Sequence, residues 1–144
     1  MKLVAAVAVV EGPGLEVEQL WHDRSRWASW IDGFRNLARL DDHWPLEGSR
    51  RVYDAAHGRV AEVVTRYVAG DVVVSTVEDQ RTTGVARVVF ETDGVRTRIT
   101  WSLDLEPKEK LAPGPRWWLR RRYRQSLERS LRRFGYELAA ELDR

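Results

Sequence analysis

Val95 to Pro107 reads VRTRITWSLDLEP, and Pro115 to Arg144 reads PRWWLRRRYRQSLERSLRRFGYELAAELDR. In the first stretch Val95, Thr97, Ile99, Trp101, Leu103 and Leu105 alternate with Arg96, Arg98, Thr100, Ser102, Asp104 and Glu106, the period of a strand with one buried face. In the second, Leu119, Tyr123, Leu127, Leu131, Phe134, Leu138 and Leu142 form one stripe; at ~100° per residue they share a face about 140° wide. The period therefore changes after Pro107, and one long amphipathic helix closes the chain. Such a helix has to bury its stripe on the sheet that precedes it. A curved sheet gripping a helix can leave a cavity between them.

Upstream of Val95 the chain reads as consecutive strands. Asp93-Gly94 and Gly70-Asp71 are hairpin turns between Gly84–Thr92 and Val95–Glu106, and between Arg59–Ala69 and Val72–Asp79. Arg50–Ala56 ends at His57-Gly58, and Phe34–Trp44 ends at Pro45 and Gly48. Residues 107–115 read as a polar loop, with Pro115 suited to the first turn of the helix.

The N-terminal third differs. Lys2–Val10 is a Val-rich apolar run that suits a buried strand, and Gly12-Pro13-Gly14 ends it. It has a superficial likeness to a signal peptide, but it is short and Glu11-Gly12-Pro13 offers no cleavage site, so it is read as the first strand of a cytoplasmic protein. Leu15–Asp23 places Val17, Leu20 and Trp21 at helical spacing, with Glu16 and Glu18 early, where the helix dipole favours acids. Arg26–Ile31 is a second short helical segment with Trp27 and Trp30 on one face.

With 144 residues, 43% of them hydrophobic, and no internal repeat or linker, the chain is expected to form one domain spanning residues 1–144. The absence of Cys excludes disulfides and thiolate chemistry. No segment reaches the roughly 18–20 apolar residues that span a bilayer. The net charge of +2 is unevenly distributed: residues 116–133 hold eight Arg and one acid, Glu128, or +7, which leaves −5 for the rest. A local basic patch of this kind attracts anionic surfaces.

The order of strand, two short helices, six strands and a long helix resembles the helix-grip fold of the START-like superfamily. Its members include polyketide cyclase/dehydrase-like proteins, lipid-transfer proteins and plant pathogenesis-related proteins. Leu15–Trp21 followed by Asp23-Arg24-Ser25-Arg26-Trp27-Ala28-Ser29-Trp30 is similar to its helix and D-x-x-x-W-x-x-W segment. Gly48-Ser49-Arg50-Arg51-Val52 resembles its glycine-led third strand, and Thr97–Pro107 its last strand, which ends in Glu-Pro. The resemblance implies an α+β fold, a seven-stranded antiparallel sheet wrapped on the C-terminal helix, and a ligand cavity between them. Fold does not select among the family's functions.

Trp21, Trp27, Trp30, Trp44 and Trp101 are expected inward or nearly so. Trp21 and Trp27 suit stapling the short helices to the sheet, whereas Trp30 and Trp101 suit either core or cavity wall. Aromatic walls fit flat apolar ligands. Tyr53, Tyr67, Phe90, Arg120, Tyr123 and Leu127 complete the expected ligand-binding set. Arg120 lies about 20° from Leu127 on the wheel. It therefore meets a ligand anion, pairs with an acid such as Asp32 or Asp54, or stays exposed at the helix start, because an unpaired buried charge is costly.

Catalytic assignment stays open. His43, Tyr67, Arg120 and Tyr123 are the residues able to assist proton transfer or enolate formation, but no phosphate loop, nucleophile elbow or zinc signature is present. His43 and His57 sit near turns without an orienting acid. Asp41-Asp42-His43 does not converge as a metal site, because neighbouring strand residues point to opposite faces. Neither a metal nor a cofactor is expected.

Arg121, Arg122, Arg129, Arg132 and Arg133, with Trp118 and Tyr136, form a basic aromatic outer face on the last helix. Its readings are a solvated face paired with acids, contact with an anionic membrane or a partner, and, less readily, nucleic acid. Three functions follow. A polyketide-, quinone- or lipid-like ligand binds in the cavity; a cyclase or dehydratase acts on a bound polyketide; or the Arg-rich helix contacts a membrane or partner. A cytoplasmic monomer or homodimer, peripheral to a membrane if the third reading holds, is expected.

Overall fold

A computed structural model describes residues 3–109 and 113–143. Strand β1 (Leu3–Glu11) leads to helix α1 (Gly14–Trp21), a 3₁₀ turn (Arg24–Arg26) and helix α2 (Trp27–Trp30). Strands β2 (Phe34–Leu40), β3 (Arg50–Ala55), β4 (Gly58–Val68), β5 (Val72–Glu78), β6 (Thr82–Thr92) and β7 (Arg96–Pro107) follow, then helix α3 (Pro113–Leu142). This is the expected α+β order. The helix begins two residues before Pro115, and part of the expected polar loop, residues 110–112, lies outside the described residues.

All seven strands form one antiparallel sheet in the order β1-β7-β6-β5-β4-β3-β2. The first strand thus returns to pair with the last, Val7 opposite Thr100, and β2 forms the other edge. Gly70 and Gly94 turn their hairpins at φ +78° and +77°, a region open to glycine without a Cβ penalty. Gly84 has a different reason to be glycine: a Cβ there would lie 2.0 Å from the Asp104 carbonyl oxygen, so β6 could not approach β7 as it does.

The alternation of β7 is real, with Thr97, Ile99 and Leu105 buried. Val95 departs from it, lying exposed in the turn before the strand. β1 departs as well: Val4, Ala6 and Val10 are buried, but Val7 and Val9 on its other face are exposed. Its apolar run is an edge strand covered by α3 on one face only.

The second half of α3 packs Leu131, Phe134 and Leu138 into the core with β1, α1 and α2. Burying a side chain such as Phe134 contributes about 2–3 kcal/mol. Leu142, the last residue of the stripe, runs past the sheet and is partly exposed. Arg26 locks the short-helix layer to this end of α3, donating to Glu137 at 2.6 Å and Glu141 at 2.7 Å.

Candidate functional site

Toward its N-terminal half α3 roofs a cavity of about 490 Å³ floored by the strands. Val73, Val88, Leu103 and Leu105 line it from the sheet, and Leu119 and Leu127 from the helix. These are inward positions of strands and stripe positions of the helix, so the periodicity that builds the fold also makes the cavity mainly apolar.

One end is walled by aromatic rings. Trp21 is the hub, with ring centroids 4.5 Å from Trp30, 5.1 Å from Trp101 and 5.1 Å from Phe134. The last two contacts are edge-to-face, a favourable arrangement of ring quadrupoles. Trp27 donates its indole N–H to the Trp21 carbonyl at 2.9 Å, which pins the two short helices together. Trp27 is core; Trp21, Trp30 and Trp101 reach the cavity wall.

A buried polar group interrupts this wall. Arg51 and Glu62 are register partners on β3 and β4, and the Arg51 guanidinium donates to the Glu62 carboxylate. Ser75 on β5 donates to the other Glu62 oxygen at 3.1 Å. The guanidinium carbon also lies 4.5 Å from the Trp27 ring centroid, 4.8 Å from Trp44 and 5.1 Å from Tyr53. Arg51 therefore has an anion on one side and π-faces around it, which offsets the cost of burying its charge. Tyr53 faces cavity space and not bulk solvent. Burial first, then the Glu62 charge, holds its phenol well above the usual range.

Beside this pair is a second buried acid. Glu18 on α1 accepts from the Tyr67 hydroxyl at 2.6 Å and from the Gly70 amide. Burial and the bond to Glu18 push the Tyr67 phenol up to about 12. His22 on the cavity wall has its pKa lowered to about 4, by burial first and then by the Arg51 charge. The Glu18 carboxylate is 4.0 Å from its Nε2 and already uses both oxygens elsewhere, so it does not offset these effects.

The rim is polar. Tyr123 on α3 donates to Asp79 at 2.7 Å and shares a bond with the Thr82 hydroxyl at 3.0 Å, tying the helix to the β5–β6 turn. Burial raises the Asp79 carboxyl, but bonds from Tyr123, the Arg81 and Thr82 amides and the Thr82 hydroxyl outweigh it, leaving the group below its ordinary range. Across the mouth, Asp32 in the α2–β2 connection accepts from Ser126 at 2.9 Å, Arg129 at 2.9 Å and Arg133 at 3.2 Å. Its own amide donates to the Ser130 hydroxyl at 2.8 Å. Here too burial raises the carboxyl, and the bonds from Arg129 and Ser126 with the Arg charges bring it below the usual value.

Of the residues expected to bind ligand, Trp30, Tyr53, Trp101, Tyr123 and Leu127 line the cavity. Tyr67, Phe90 and Arg120 are not among its lining residues. Tyr67 is committed to Glu18, and Phe90 is buried core against Trp21 at 5.7 Å. Arg120 meets neither expected acid, because Asp32 takes Arg129 and Arg133 while Asp54 takes Arg59. His43 lies with Asp41, Asp42 and Glu47 on a separate surface depression, whereas His57 is on the cavity lining. Among the described residues no three His, Cys, Asp or Glu groups are placed to hold a metal ion.

The expected outer basic face divides. Arg129 and Arg133 are held by Asp32. Arg132 and Tyr136 are exposed farther along the helix, and Trp118, Arg121 and Arg122 lie toward its start. Sequence reasoning missed Arg51, Glu62, Glu18, His22 and Asp79. The retrievable signal was alternation: Arg51, Tyr53 and Ala55 share one face of β3, and Val60, Glu62 and Val64 share one face of β4.

Buried side-chain nitrogens without a protein partner are concentrated on this wall. Among the described residues they belong to His22, Trp30, Trp44, Arg51 and Arg120, and the first four residues line the cavity. Each such group carries a desolvation cost of ~1–3 kcal/mol.

The sequence matches no protein-family model and no curated protein. Solved structures do match. A START superfamily protein from Mycobacterium smegmatis is similar over 97% of this chain and 99% of its own, with a TM-score of 0.79 at 15% identity. CalU16 from Micromonospora echinospora is similar over 97% of this chain and 78% of its own, with a TM-score of 0.70 at 12% identity. DynU16, of the dynemicin biosynthetic locus, has a TM-score of 0.71 at 14% identity, and the match covers 96% of this chain and 48% of that one. At these identities the likeness concerns architecture, and the architecture of this chain is the START-like helix-grip fold.

Proposed function

We propose that the cavity binds a small, mostly apolar ligand of polyketide, quinone or lipid type that carries a neutral acceptor oxygen. The observation that carries this reading is the 490 Å³ space between sheet and α3, with its aliphatic and tryptophan walls. That volume is within the range of small-molecule sites. The acceptor follows from the wall chemistry. Glu62 already answers the Arg51 charge, so a ligand carboxylate would compete with it, whereas a carbonyl adds no charge. A ligand oxygen reaching one of the partnerless nitrogens would recover part of their desolvation cost.

A second reading, cyclase or dehydratase action on a bound polyketide, draws support from His22. Its neutral imidazole sits on the wall within the electrostatic reach of Arg51, a base beside a group able to stabilise an enolate. A base with a pKa of about 4 is weak near neutrality, so binding is the leading reading.

Titration with neutral quinones, followed by quenching of tryptophan fluorescence, tests the binding reading. Trp21, Trp30 and Trp101 should report a saturable site. Ala86→Phe, which fills the cavity from an inward position on β6, should weaken it while leaving the sheet folded. Quenching that stays linear and equal in both proteins would refute the reading.

A further inference from the structure

The first turns of α3 carry exposed side chains that the core does not use. Trp117 and Trp118 are 63% and 47% exposed, although tryptophan is a residue that folding normally hides. Each is followed four residues later by an Arg lying against it. The Arg121 guanidinium carbon is 5.6 Å from the Trp117 ring centroid, and that of Arg122 is 4.8 Å from Trp118. Arg124 is exposed and continues the Trp117–Arg121 stripe at the next helical turn. Among the described residues no ion pair involves Arg121, Arg122 or Arg124, in contrast to Arg129 and Arg133 farther along the helix.

We propose that this face docks on an anionic lipid surface. The chemistry is that of an interfacial helix segment: indole rings settle at headgroup depth, and guanidinium groups meet lipid phosphates. Charge complementarity favours this occupant. Residues 117–127 contain Arg120, Arg121, Arg122 and Arg124 and no acid, while the chain outside the basic stretch is net acidic. Two exposed indoles side by side favour a bilayer over a nucleic-acid backbone, which would need cations without a greasy surface. The contact is peripheral, since no described helix is long and apolar enough to cross a membrane. Arg122 belongs both to this face and to the cavity lining, so the docked surface lies against the cavity mouth.

The test is co-sedimentation of the purified chain with vesicles of phosphatidylcholine alone or mixed with phosphatidylglycerol, at low and high salt. The chain should bind the mixed vesicles, bind phosphatidylcholine weakly, and be released by salt. Arg121→Glu/Arg124→Glu, which touches neither core nor cavity, should bind mixed vesicles about 30-fold less or weaker, at roughly fivefold per lost cation near the surface. Trp117→Ala should also lose binding, together with the blue shift of indole fluorescence on vesicles, while Arg121→Lys/Arg124→Lys should retain most of it. Circular dichroism melts should be unchanged in all three variants. Equal vesicle binding by wild type and the Glu double variant would overturn the proposal. So would failure to bind phosphatidylglycerol vesicles, or retention by a DNA oligonucleotide with no retention by vesicles.

Discussion

The Tyr123 hydroxyl donates to the Asp79 carboxylate at 2.7 Å, joining the cavity roof to the turn at its floor. The same carboxylate accepts from the Thr82 hydroxyl and amide, so one acid organises both elements. Tyr123→Phe keeps the ring and removes the donor. It should destabilise the chain by about 1–2 kcal/mol, the cost of an unmade bond to a charged, half-buried acceptor. Urea denaturation measures this, and a change below ~0.3 kcal/mol would show that the tie carries no weight.

Arg51 and Glu62 should behave as a unit. Arg51→Met leaves a buried carboxylate without its cation and should cost about 3–5 kcal/mol. Arg51→Met/Glu62→Leu removes both charges and should recover much of that loss, giving a large coupling energy in a double-mutant cycle. Additive losses would mean that the two side chains do not interact.

His22 predicts a pH dependence. Its folded pKa of about 4 is below the ordinary 6.5, so between these values the unfolded chain binds the extra proton. Stability from this group is present above about pH 6.5 and is lost as pH falls toward 4, by up to about 3 kcal/mol. His22→Gln should flatten this part of the stability profile relative to wild type. Parallel profiles from pH 7 to 4.5 would contradict the buried, neutral imidazole.

Asp32 contributes in the same direction as His22, but at lower pH. A depressed carboxylate stabilises the fold above its ordinary pKa of 3.8, and the contribution disappears as pH falls through the lower folded value. Its Arg partners are nearly half exposed, so solvent screening holds the gain to ~1 kcal/mol at neutral pH. Asp32→Asn should therefore be less stable than wild type at pH 7, with a deficit that shrinks as pH falls below the ordinary carboxylate pKa of 3.8 and vanishes once Asp32 is protonated. A deficit that persists in acid would point to lost packing.

Much of this architecture is legible in local pattern. The alternation from Val95 to Glu106 and the Leu119–Leu138 stripe each specify one element and its inward face. The Gly70 and Gly94 turns fix two hairpin registers. The cavity wall is legible where an aromatic or aliphatic residue falls on an inward position, as at Tyr53, Trp101 and Leu127. The Arg51–Glu62 pair is invisible to local reading, because its partners meet only when β3 and β4 take their register. Glu18 looked like a helix-start acid favoured by the dipole, and its burial depends on where Tyr67 and Gly70 arrive from β4. Arg120 shows the converse. Its wheel position near Leu127 suggested a cavity role, but its side chain is not on the cavity lining, and its Nε is buried without a protein partner.

The most direct measurement is native mass spectrometry of wild type and Ala86→Phe after incubation with neutral aromatic ketones, quinones and fatty acids. The account predicts one-to-one adducts of wild type with neutral carbonyl compounds, weaker adducts with the carboxylates, and strong reduction in Ala86→Phe. No adduct with any of them, or equal adducts in both proteins, would contradict a ligand site between the sheet and α3.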